Sequence, residues 1–352
     1  MAEALRCLRA DALLVTHLPN VMYLCGFTGS AGVLLVPAAV RGKTIFITDG
    51  RYTQQAAGEV KHARVVIVKG AAIVEACKRA EHSRIATLAF ESDDLSFALA
   101  KHVSSQLRGK IRLKPASGLV EQLRLIKDAD ELERIRASVK LATSLFDRAL
   151  KQAQPGAPES AVAGDMEFEA RRLGAEKMSF DTIVASGDRS ALPHGRASGC
   201  PIPSSGFIIF DWGVILAGYC SDMTRTVHVG PVSTSHRSMY QAVREAQLAS
   251  IEAVRPGVEV SEVDRAGRDV LKKAGYASYF THSTGHGVGL EIHEAPRLAK
   301  GQRQQLTPGM VVTIEPGIYV PEEGGVRIED MVLVTETGHE ILTTLPKDLI
   351  TL

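Results

Sequence analysis

Between Asp211 and Glu329, four carboxylates and one imidazole each stand where an apolar run ends or where glycines crowd the backbone. The run Phe207-Ile208-Ile209-Phe210 terminates on Asp211, and Val311-Val312-Thr313-Ile314 terminates on Glu315. Asp222 lies in Ser221-Asp222-Met223-Thr224-Arg225-Thr226, His286 in Gly285-His286-Gly287-Val288-Gly289, and Glu329 in Arg327-Ile328-Glu329-Asp330. Acids at the ends of buried strands repel one another strongly unless something cationic lies between them. The pattern predicts a metal site assembled from distant strands.

Local chemistry supports that reading at each position. Gly213 and Gly218 allow a hairpin that lays Asp211 and Asp222 side by side. Asp211 alone reads as a turn former and Asp222 alone as a partner for Arg225, but the pair together points to a metal. Glycines on both sides of His286 let other backbone approach closely, as a ligand in a tight turn requires. His282 and His293 lie near it in sequence and suit hydrogen bonding or proton transfer. Alternation along residues 326–331 puts Arg327 and Glu329 on one face, where the arginine steadies the carboxylate or the substrate. Five ligands rich in oxygen favour Mn or Co, with Zn or iron as lesser options. Some of them must bridge, which suits two ions about 3.5–4 Å apart, the spacing of two-metal hydrolases.

The rest of the chain bounds the answer. It has 352 residues and a net charge of +1, which argues against nucleic acid or an anionic membrane as partner. Its apolar runs are strand-length, and residues 1–20 lack the unbroken apolar core of a signal peptide. Five scattered cysteines without CxxC pairing read as buried thiols in a reducing compartment, so the cytoplasm is expected.

Residues 1–118 read as an α/β domain. Strands are expected at Ala12–Val15, Gly32–Val36, Lys43–Thr48, Val65–Val68 and Ile85–Phe90, with helices such as 51–60 and 71–79 between them. Lys114-Pro115-Ala116-Ser117-Gly118 reads as the boundary to a second domain, 119–352. The glycine-rich stretch from Gly26 to Gly32 lacks the lysine of a phosphate loop and reads as a tight loop. Asp49-Gly50-Arg51-Tyr52 reads as a turn and helix start. A long helix is expected over residues 126–152, opened by a capping box of Asp128 and Glu131. Leu132, Ile135, Val139, Ala142, Phe146 and Ala149 form its apolar face, with Glu131 and its other charges on a solvated face.

An internal echo follows. Pro155-Gly156 leads a helix that ends at Gly174, and Pro256-Gly257 leads one that ends at Gly275. Each helix runs into a strand-like stretch, 179–186 and then 278–284. The plan implies a duplicated α+β half with the site between the halves.

The ordered series Asp211-x-Gly213, Ser221-Asp222-x-Thr224-Arg225-Thr226, Gly285-His286-Gly287-x-Gly289, His293-Glu294, Glu315-Pro316-Gly317-x-Tyr319 and Arg327-x-Glu329-Asp330 resembles the proline-specific metallopeptidases of the creatinase/aminopeptidase P/prolidase superfamily. Leu123-Arg124-Leu125-Ile126-Lys127 and the segment from Ala185 to Gly195 resemble the same family. The resemblance implies a pita-bread catalytic domain behind a smaller N-terminal α/β domain, and a homodimer. It implies that Asp211, Asp222, His286, Glu315 and Glu329 hold two divalent ions, Mn foremost, with Asp222 and Glu329 bridging and Glu315 as general base. It gives His194, His282 and His293 substrate-binding or intermediate-stabilising roles, and puts Tyr319 and Arg327 behind them. The intact ligand set separates the chain from metal-free creatinases, and residues 1–114 separate it from methionine aminopeptidases. The expected activity is hydrolysis of an Xaa-Pro bond. The Thr28–Gly32 and Asp49–Tyr52 idioms look like those of aminopeptidase P relatives, so an aminopeptidase is expected, with an Xaa-Pro dipeptidase (prolidase) as the alternative. A catalytically silent scaffold of the same fold is the rival from another class.

Overall fold

The computed structural model of the protein describes residues 1–39 and 42–352. It consists of two compact units, Met1–Arg124 and Leu125–Leu352.

The first unit is built on six strands: β1 (Ala12–Val15), β2 (Val33–Pro37), β3 (Ile45–Asp49), β4 (Arg64–Val68), β5 (Thr87–Glu91) and β6 (Arg112–Ala116), in spatial order 4-3-2-1-5-6. Antiparallel β1–β2 and β2–β3 pairs are flanked by parallel β3–β4, β1–β5 and β5–β6 pairs. Every residue of β1 is buried, because its two faces serve two cores. Leu13 and Val15 pack with Leu5, Val21 and Ala56, while Ala12 and Leu14 pack with Ala76, Val103 and Leu107. Helices on both faces explain why the strands read as continuous apolar runs. The first three residues of the Lys114–Gly118 stretch, expected to be a boundary, belong to strand β6, which pairs Pro115 with Phe90. It escaped detection because a proline is tolerated at a sheet edge, where it need not donate to a ladder. Leu119 and Val120 still pack with the first unit's core, so the contact division falls after Arg124.

The second unit opens with the predicted capping box, in which Asp128 and Glu131 bond reciprocally. The expected long helix is two, Ala129–Ser144 and Phe146–Gln152, separated at Leu145. Ile135, Val139, Ala142, Phe146 and Ala149 of its apolar face are buried and Leu132 is half-buried, with Phe146 stacked 5.4 Å from Trp212. Glu131, expected on the solvated face, is buried and accepts the Tyr219 hydroxyl at 2.8 Å.

The first half of this unit carries β7 (Lys177–Met178), β8 (Ile183–Ser186), β9 (Gly206–Trp212), β10 (Val214–Leu216), β11 (Tyr219–Cys220) and β12 (Met223–Val229). The second half carries β13 (Gly285–Gly287), β14 (Glu294–Leu298), β15 (Val311–Ile314), β16 (Gly317–Val320), β17 (Gly324–Arg327), β18 (Asp330–Val334) and β19 (His339–Ile341). The strand-like stretch expected at 278–284 is a short 3-10 turn, Ala277–Tyr279, and the strand begins only at Gly285.

The echo is real in three dimensions. Helix Glu159–Arg172 is led in by Gly156, whose N–H bonds to the Ile202 carbonyl, while Ile202 N–H returns to Ala157. Helix Val260–Lys273 is led in by Gly257, bonded to Leu306, while Leu306 N–H returns to Val258. Gly156 and Gly257 share left-handed φ values of 87° and 81°. A shared helix-start idiom would not reproduce these long-range ladders. All five cysteines are free; Cys25, Cys77 and Cys220 are buried as expected, whereas Cys7 and Cys200 are exposed. No described helix is long and apolar enough to cross a membrane.

Gly213 makes the crossing between β9 and β10 possible, since a Cβ there would lie 1.8 Å from the Ser221 carbonyl oxygen. Gly213→Ala should cost about 1–3 kcal/mol or more by overpacking against backbone. A lowered denaturation midpoint in urea would show it, and an unchanged midpoint would contradict the close approach.

Candidate metal centre

The five predicted ligands converge on one cavity of about 680 Å³ within the second unit. Asp211 lies on β9, directly opposite Thr224 of β12 and Ile183 of β8. Asp222 directly precedes β12. His286 is the middle residue of β13. A Cβ on Gly285 would fall 1.9 Å from Thr313 O, and one on Gly287 2.0 Å from Ala295 O, so glycine on each side admits the neighbouring strands. Glu315 directly follows β15 and Glu329 directly precedes β18; Ile314 pairs with Asp330, so both acids emerge at the same end of one ladder.

Ligand atoms of Asp222, His286 and Glu329 all lie within 4.8 Å of one another. His286 Nε2 is 3.5 Å from Asp222 Oδ2 and 3.4 Å from Glu315 Oε1. The imidazole is 3.0 Å from the Gly287 carbonyl through Nδ1, and a carbonyl only accepts. Nδ1 therefore carries the hydrogen. Burial lowers the His286 pKa to about 4, so the ring is neutral and its Nε2 lone pair faces carboxylate oxygens. Acceptors facing acceptors in a buried site require a cation.

Arg327 does not share an alternating strand face with Glu329, because β17 ends at Arg327 and β18 begins at Asp330. Its guanidinium instead donates to Asp211 Oδ2 at 2.6 Å, to the Tyr319 hydroxyl at 2.6 Å and to the Pro193 carbonyl. Tyr319 in turn donates to His282 Nε2 at 3.0 Å, and His282 Nδ1 donates to Ser283 O. This relay fixes the His282 tautomer, and burial followed by the nearby Arg327 charge lowers its pKa to about 4. His194, His282 and His293 line the cavity, as does Arg327, while Tyr319 stands behind His282. The His293 ring meets the His286 ring edge-on at 4.5 Å.

Some participants, or their true partners, went unnoticed in the sequence. Thr224 Oγ1 donates to Glu329 Oε2 at 2.7 Å. Arg225 pairs with Asp330 at 2.7 Å rather than with Asp222. Arg297 lines the cavity and lies opposite His286 in the β13–β14 register.

The profile of metallopeptidase family M24 matches residues 133–336, and that of the creatinase/prolidase N-terminal domain matches residues 1–126. The chain belongs to metallopeptidase family M24. It is 42% identical to the solved Xaa-Pro dipeptidase from Bacillus anthracis, with 99% of this chain and 97% of that one covered at a TM-score of 0.94. It is 38% identical to an Xaa-Pro dipeptidase of Pyrococcus furiosus over 97% of this chain and 95% of the relative. The solved X-Pro aminopeptidase from Thermotoga maritima is 35% identical, with 99% and 100% covered and a TM-score of 0.91. The catalytic unit of this metallopeptidase thus has the pita-bread fold, and in the chain it follows a creatinase-type α/β domain.

The residues fit a divalent ion on evidence of their own. Asp211 Oδ1 is buried without a hydrogen-bond partner. Burial, then the charges of Glu329, Asp211 and Glu315, pushes the Asp222 carboxyl well above its usual range. Burial, then Glu315 and Asp211, does the same to Glu329. Burial raises Glu315 to about 7. Protons hold this acidic cluster together only when a metal does not.

A carboxyl whose pKa is raised on folding stabilises the fold fully below the ordinary carboxylate range, and that contribution is lost as pH rises through the raised value. Chelator-treated metallopeptidase should therefore lose melting temperature between about pH 5 and pH 8. Added Mn should restore more at the upper end, where it replaces protons already gone. Melting curves across that range test this, and a metal-free protein that grows more stable with pH would refute it.

Proposed function

We propose that this metallopeptidase hydrolyses the Xaa-Pro bond, acting foremost on dipeptides. The observation that carries the dipeptide preference is Arg297. Its neighbours in the cavity wall are already engaged: Arg327 with Asp211 and Arg196 with Asp181. Arg297 pairs with no carboxylate of the described residues, and it shares a sheet face with His286. A cleavable dipeptide carries a free carboxylate one residue beyond the scissile carbonyl, and a guanidinium at the wall is matched to hold it. The names of the Bacillus anthracis and Pyrococcus furiosus relatives support the same activity. Release of the first residue from longer peptides is the second reading, favoured by the likeness to the Thermotoga maritima aminopeptidase. Asp211, Asp222, His286, Glu315 and Glu329 would hold two divalent ions, Mn in preference to Co or Zn, in a cytoplasmic homodimer.

When bound, such ions acidify a water molecule and polarise the substrate carbonyl. Glu315 accepts the proton of the attacking water and returns it to the leaving prolyl nitrogen. His293 and His194, on the wall, orient the substrate. Arg327 keeps Asp211 in place and, through Tyr319, fixes the His282 ring.

With Mn, the wild-type protein should cleave an Xaa-Pro dipeptide faster than an Xaa-Pro-Xaa tripeptide. Arg297→Met should raise KM for the dipeptide about 10–100-fold, the equivalent of ~1.5–3 kcal/mol in charge-assisted hydrogen bonding, and leave the tripeptide unaffected. Tripeptide cleavage without dipeptide cleavage would favour the aminopeptidase, and inactivity on both with metal bound would favour a scaffold. Glu315→Ala should abolish turnover in a folded protein; retained activity in that variant would mean another base does the work.

A further inference from the structure

Behind the ligand strands lies a second charged assembly that the family profile, ending at residue 336, only partly spans. Its centre is Arg225, 1% exposed on β12. Nε donates to Pro346 O at 2.9 Å; Nη1 donates to Thr224 O at 2.8 Å and to Glu329 O at 2.6 Å. Nη2 donates to Asp330 Oδ1 at 2.7 Å and to Leu345 O at 2.8 Å. All five guanidinium hydrogens are thereby used. Asp330 is fully buried, and its other oxygen takes Lys347 Nζ at 2.5 Å and Gln247 Nε2 at 2.8 Å. Lys347 Nζ also donates to Gln247 Oε1 at 3.0 Å.

The segment that supplies these groups, residues 342–352, is tied down at its far end too. His228 N–H bonds to Ile350 O, Leu352 N–H bonds to His228 O, and Thr351 bridges alongside β12. The segment therefore straps β12 to β18. Those are the two strands that start directly after Asp222 and Glu329. Two cations, Arg225 and Lys347, share one anion, Asp330. The bonds to Thr224 O and Glu329 O tie the two ligand strands to one guanidinium.

We propose that residues 342–352 are part of the support of the metal centre, and that Lys347 and Arg225 are positioning residues for Glu329 and Asp222. Lys347 touches no ligand side chain; it acts through Asp330. The inference rests on the metal reading of the cavity.

The test is Mn(II) binding to the full chain after chelation, measured calorimetrically for wild type, Lys347→Met, Lys347→Arg and Arg225→Met. Lys347 lies near the surface, so its variants should fold even where Arg225→Met does not. The Kd of Lys347→Met for Mn(II) should rise about 3–10-fold, less than the loss of a group bonded directly to a ligand because Lys347 acts through Asp330, with Lys347→Arg recovering most of the loss. A purely structural strap would lower the melting temperature of metal-free Lys347→Met and leave its Mn(II) affinity at the wild-type value. That result overturns the proposal alone, whereas absence of Mn(II), Co(II) or Zn(II) binding in wild type overturns the metal centre with it.

Discussion

Mutual repulsion among buried carboxylates is the constraint to which the catalytic unit answers. Asp211, Asp222, Glu315 and Glu329 share one cavity and are largely shut off from solvent. In such a place a negative charge is tolerated only beside a cation, a donor or a proton. The chain answers with each in turn: Arg327 on Asp211, Thr224 on Glu329, and raised pKa values on the acids left over. The remaining deficit is the affinity for metal. A site of this sort is strained without its ion by design of its charges, with no distortion of the backbone needed.

Much of this was legible in the sequence because the determinants are local. An apolar run that stops on an acid, or a histidine between two glycines, announces a strand end or a close approach wherever the chain later goes. The capping box of Asp128 and Glu131 formed for the same reason. The Pro-Gly echo was equally readable, since left-handed glycines must recur where the same turn recurs.

What stayed hidden depends on partners far along the chain. Arg225 looked like a mate for Asp222, three positions away, but found Asp330, 105 positions away, because its own strand turns it from the cavity. Glu131 looked solvated until Tyr219 came to cover it. Arg297 sits in an unremarkable Pro-Arg-Leu run, and only the β13–β14 register makes it a neighbour of His286. Strand β6 was hidden by its proline, and the break at Leu145 by a hydrophobic pattern that continues across it.

The duplicated plan also has a consequence for how the ion is acquired. Asp211 and Asp222 are supplied by the first half, and His286, Glu315 and Glu329 by the second. During synthesis the first pair leaves the ribosome well before the others exist. Under the proposed ligand set, two carboxylates on a nascent hairpin are too few to hold a divalent ion firmly, so capture would wait for both halves to fold and the finished cavity would select the ion.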